Sequence, residues 1–136
     1  MTKERIQLLQ QNLVRLLSVS DLTGQLFYKR LFELDPSTRS MFKADMQEMT
    51  RQLMQTVGMI VTGLSTPGEV MSLVAEYGRK HVEYGVVEAH YDTVRTALLW
   101  TLDQILGSEF TPESHAAWTE AYDFIAKVMK DAAFKK

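Results

Sequence analysis

The sequence contains no cysteine. Disulfide staples, a thiolate nucleophile and a zinc–thiolate centre are therefore excluded. Only three prolines and seven glycines interrupt it, so long helices meet few intrinsic breaks. Neither sign of charge dominates: 15 Lys and Arg stand against 17 Asp and Glu, with a net charge of −2. That balance gives no electrostatic footprint for nucleic acid or an anionic membrane. Long apolar runs are missing too. Residues 57–61 form one of the longest, far short of a bilayer span. The first five residues, Met1-Thr2-Lys3-Glu4-Arg5, mix charges and lack the apolar core of a secretory signal. The expectation is a cytoplasmic protein with no nucleic-acid or membrane partner. Phosphate-cradling glycine loops, nucleophile elbows and histidine pairs at metal-helix spacing are absent.

What is present is helical periodicity from end to end, with 46% apolar residues and eight methionines. At 136 residues the simplest organisation is one domain, residues 1–136. Ile6, Leu9, Leu13 and Leu16 define a helix over 4–17. Ser20 or Asp21 is expected to cap a second helix that runs to Leu34, its inner face Gly24, Phe27, Tyr28 and Leu31. Asp35-Pro36 marks a break and a short restart before Phe42. Residues 43–48 form a polar corner, and a helix then runs to Leu64 with Met49, Leu53, Val57 and Ile60 on one face. Thr66-Pro67-Gly68 reads as a loop. The next helix covers 69–83. Another covers 90–106, with Tyr91, Val94, Leu98, Leu102 and Ile105 inward, and Gly107 ends it. Thr111-Pro112 opens the last, striped by Trp118, Tyr122, Ile125, Met129 and Ala132. The fold class is all-α, with about seven helices and no strand.

His81 is the residue that needs explaining. Tyr77, Val74 and Val70 precede it by four, seven and eleven, so an imidazole ends an apolar stripe just before the helix-stopping Gly85. A buried polar ring must be satisfied. It is either a core histidine bonded to a backbone carbonyl or an axial metal or haem ligand in an apolar pocket.

The ordered set Phe27-Tyr28, Asp35-Pro36, Phe42, Arg51-Gln52-Leu53-Met54, Arg79-Lys80-His81, Tyr84-Gly85-Val86 and His90-Tyr91, closed by Trp118 and Tyr122, resembles the bacterial single-domain globins and the haem domain of flavohaemoglobins. The resemblance covers essentially the whole chain. It implies the globin fold around one b-type haem. His81 stands where the family has its iron ligand, Phe42 where a phenylalanine packs on the haem, and Tyr28 at the distal tyrosine that can donate to a bound ligand. Tyr91 stands near the axial histidine. Leu53, Val86 and Val94 complete the expected cofactor contacts. The distal-helix position falls on Met49, four before Leu53 on the apolar stripe, or, by an alternative alignment, on Gln52. The glutamate that relatives carry on the last helix is matched by Ala133, with Asp131 two residues away.

The resemblance implies reversible binding of oxygen, carbon monoxide or nitric oxide. Catalysis would borrow electrons from an external reductase, since the chain has no room for a flavin domain. The alternatives are a nitric oxide dioxygenase served by a separate reductase, a haem-based gas-sensor module, and a haem-free helical interaction domain. The oligomeric state is left open.

Overall fold

The computed structural model describes residues 1–134. Six α-helices appear in order: α1 Lys3–Ser18, α2 Ser20–Leu34, α3 Met46–Gly63, α4 Pro67–Glu83, α5 Glu88–Leu106 and α6 Pro112–Phe134. A 3₁₀ turn at Pro36–Met41 is the short seventh element, and a second turn occupies Gly107–Glu109. Among the described residues there is no strand, and no helix is long and apolar enough to cross a membrane.

The apolar stripes pair the helices. Leu9, Leu13 and Leu16 of α1 meet Met54 and Val61 of α3, Leu102 and Leu106 of α5, and Trp118 of α6 in one core. A second core gathers Phe27, Tyr28 and Leu31 of α2 with Met49 of α3 and Ala97 of α5. Leu9, Leu31 and Leu102 are fully enclosed; each contributes roughly 1.5–3 kcal/mol by leaving water. Polar groups in the core find partners. Asn12 Oδ1 accepts from Trp118 Nε1 at 3.1 Å, and Thr101 Oγ1 donates to Ala97 O at 2.8 Å.

Local chemistry sets the boundaries. Asp35 caps the 3₁₀ turn, its Oδ1 accepting from Ser37 N, with Pro36 at the first helical position. Asp45 caps α3 through Glu48 N at 2.8 Å, so that helix starts inside the expected polar corner. Three expectations need correction. Neither Ser20 nor Asp21 caps α2: a single residue, Val19, separates it from α1, and the Ser20 hydroxyl turns back to donate to Leu17 O. The 66–68 loop is also shorter than expected, because Pro67 opens α4, where a missing N–H costs nothing. Likewise α5 begins at Glu88, two residues early.

The end of α4 is a double clamp. Gly85, at φ 93°, takes the left-handed conformation. Its N–H donates to Val82 O at 3.0 Å, and Val86 N–H donates to His81 O at 3.0 Å. This pair of reversed bonds closes the helix and turns the chain toward α5.

Candidate functional site

α4 packs chiefly on α6 and touches α3 at their junction; it has no extensive packing on α2 or α5. Val74 is buried, while Val70, Tyr77 and His81 are partly buried. On α3 and α5 the inward positions Leu53, Val57, Ile60, Val94 and Leu98 are likewise only partly buried.

His81 is held from its own helix. Its Nδ1 lies 2.5 Å from Tyr77 O. A carbonyl only accepts, so Nδ1 carries a proton, and the tautomer this selects has its lone pair on Nε2. Tyr84 packs edge-on against the ring at 6.3 Å between centroids. The core-histidine alternative accounts for Nδ1; Nε2 has no protein hydrogen bond, on a ring that is only partly buried.

The second core carries the rest of the expected residues. Tyr28 stacks edge-to-face on Phe27 at 5.0 Å and on Phe42 at 5.2 Å. Its hydroxyl donates to Met49 O at 3.3 Å. Burial pushes its pKa up to about 12, so the group is a phenol, a donor, at neutral pH. Met49, Leu53, Phe42 and Val94 join the same cluster. Gln52 does not: it is exposed, and its Nε2 donates to Glu48 Oε1 at 3.1 Å. Sequence reasoning missed Phe32 and Met46, which pack into this cluster. Phe32 could have been found, one helical turn beyond Tyr28.

Tyr91 and Val86 lie on the α4–α5 side. Tyr91 is buried, and its hydroxyl has no protein partner; burial raises its pKa. Its carbonyl accepts from Tyr122 Oη at 2.6 Å. Ala133 is partly buried in the last turn of α6, and Asp131 pairs with Lys127 Nζ at 2.7 Å. His90 and His115 sit elsewhere. His90 accepts from Val87 N at the start of α5 and faces Asp35 at 3.6 Å; His115 is exposed on α6. Two surface concavities, one bounded by Asp21, Asp45 and Arg51 and one by Trp100 and Phe110, include neither His81 nor Tyr28. Among the described residues no group of three or more histidines and carboxylates could hold a metal ion.

These features define one class: a helical protein with a partly buried imidazole whose Nδ1 is held by its own helix, and a buried phenol in a separate aromatic cluster. A planar apolar group with an axial coordination need fits them. It would cover the half-buried faces, accept Nε2, and give the stranded Tyr91 hydroxyl an edge to meet. The sequence model of the globin family matches residues 25–129, and the chain belongs to that family, which implies haem binding. A flavohemoprotein of Xylella fastidiosa is 38% identical over 107 residues, covering 76% of this chain and 27% of the relative. The chain spans about a quarter to a third of the length of the curated flavohemoproteins it matches. A bacterial globin from Campylobacter jejuni superposes with a TM-score of 0.82 at 30% identity, over 96% of this chain and 95% of that one. An engineered carbene transferase from Rhodothermus marinus, assigned as a nitric oxide dioxygenase, gives a TM-score of 0.82 at 26% identity over 95% and 90%.

Proposed function

We propose that the chain acts as one globin unit that binds a b-type haem through His81 Nε2 and reversibly binds oxygen or another diatomic gas. When bound, the haem would supply the iron that coordinates the gas. The protein supplies the rest. Tyr77 O fixes the ring tautomer and orientation. Phe42, Leu53 and Val94 pack in the Tyr28 cluster and, with Val86, would form the apolar surroundings of the haem. Tyr28 offers the distal proton donor, and Met49, rather than Gln52, is the neighbouring residue from α3. The observation that carries this reading is the His81 Nδ1–Tyr77 O bond, which occupies Nδ1 and leaves Nε2 with no protein hydrogen bond.

The test is an absorption spectrum of protein reconstituted with haem b, in ferric, ferrous and carbon monoxide forms. A ferrous spectrum that shifts on adding carbon monoxide and returns on its removal supports the reading. Protein that leaves haem free in solution overturns it.

A second reading is favoured by the likeness to flavohemoproteins and to the Rhodothermus marinus protein. In it the same unit consumes nitric oxide in the presence of oxygen, with a separate reductase returning electrons. Nitric oxide loss that requires both an added reductase and the haem-loaded chain would separate catalysis from carriage.

A further inference from the structure

α4 is pinned at two points. Near its start, Val70 lies against Gly63 of α3: a Cβ built on Gly63 would meet Val70 Cγ1 at 2.5 Å. Near its end the contact differs in kind. A Cβ on Gly78 would meet Met129 O at 2.5 Å and Met129 Cα at 2.7 Å. Side chains can turn aside, but the backbone of an α-helix cannot. Carbon contacts settle near 3.5–4.0 Å, so even one methyl at Gly78 would drive α4 and α6 apart by roughly an ångström. The axial nitrogen sits on His81, three residues further along the displaced helix, and its ring is tied to that same helix through Tyr77 O. No flexible link separates the contact from the ring.

We propose that Gly78 is a positioning residue for the iron ligand: the backbone contact of α4 on α6 sets the height and tilt of the His81 imidazole. The proposal rests on the reading of His81 as the axial ligand. It also gives α6 a role in this chain. Ala133 offers His81 no hydrogen bond from that helix, so α6 acts on the ligand through helix packing.

The experiment compares haem-loaded wild type, Gly78→Ala and Gly63→Ala. The readouts are the ferrous iron–histidine stretching band by resonance Raman, the carbon monoxide association rate and the melting temperature. Gly78→Ala is expected to keep its haem stoichiometry, shift the band, and change carbon monoxide association about five-fold, corresponding to about 1 kcal/mol. Gly63→Ala should lower the melting temperature, with the band in place. Gly58 and Gly68 have open space around a built Cβ. A Gly58→Ala/Gly68→Ala background therefore offsets lost stability without touching either contact. His81→Gly supplied with imidazole is the second arm: there Gly78→Ala should leave the iron–imidazole band unmoved.

Three results overturn the proposal. One is a Gly78→Ala protein that melts early but keeps the wild-type band and rate. Another is a band shift that persists with free imidazole. The third is loss of helical structure in the stabilised background, which makes the contact one of folding alone. A His81→Gly protein that keeps the wild-type band without imidazole is a different failure. It removes the axial assignment, and this proposal with it.

Discussion

The Tyr28 hydroxyl donates to the carbonyl of Met49, across 3.3 Å, a length at which a neutral hydrogen bond is weak. One hydroxyl proton serves one strong acceptor, so a gas carrying partial negative charge must win it from Met49. Replacing a weak bond by a stronger one leaves a net gain of about 1.5 kcal/mol, the low end for hydrogen bonds to charged groups. Tyr28→Phe is therefore expected to raise the oxygen dissociation rate by about ten-fold and to leave carbon monoxide, a poor acceptor, almost unchanged. Stopped-flow displacement of each gas measures this. Equal effects on both gases would make Tyr28 a packing residue.

His81→Ala is expected to abolish stoichiometric haem binding while keeping the helical content. The ring is only partly buried, and its one protein bond is to its own helix, so the fold does not depend on it. Haem retention on a desalting column, read beside the far-ultraviolet circular dichroism, checks the outcome. The variant should also lose the haem-dependent rise in melting temperature, since a ligand that binds only the folded state stabilises it.

Alkaline pH should unfold the haem-free protein through its tyrosines. Burial raises Tyr28 from 10.0 to about 12 and raises Tyr91 and Tyr122 as well. The stability held by a raised acid is fully present below the unfolded value. It falls as the unfolded phenol ionises, here from pH 10 up to about 12 for Tyr28. That gap corresponds to at most about 2.7 kcal/mol. Denaturant titrations across this range should show stability falling with pH, and less steeply in Tyr28→Phe.

Trp118→Phe should destabilise the protein by about 1–3 kcal/mol, because it strands the buried Asn12 oxygen that Trp118 Nε1 satisfies. The check is guanidinium unfolding. A change below about 0.5 kcal/mol, typical of surface substitutions, would mean that Asn12 finds another partner.

Much of this was legible because large apolar residues repeat at helical spacing. Leu9, Leu31, Val74 and Leu102 all lie where their stripes place them, enclosed by neighbouring helices. Spacing also placed Met49 on the inner face and Gln52 toward its edge, and the first is buried and the second exposed. Small and polar core residues were not legible. Asn12, Ala97 and Thr101 carry no hydrophobic signal, and their burial depends on partners such as Trp118, 106 residues from Asn12. The start of α2 was misread because capping rules assume an open end, whereas α1 and α2 nearly abut at Val19. Pro67 carries two opposite meanings in sequence, loop residue and first residue of a helix, and only the chain's path decides between them. Nothing in the sequence singled out Gly78. Its use lies in α6, at the backbone of Met129.

The turn at Gly85 has a consequence for the order of assembly. His81 is fastened through its ring nitrogen to Tyr77 and through its carbonyl to Val86, and neither bond involves the cofactor. On the reading of His81 as the haem ligand, the ring is oriented by the protein before the cofactor arrives. The rotamer entropy of the imidazole is lost during folding, so it is not charged against the later binding step. Under that reading haem meets an imidazole whose orientation Tyr77 O already sets.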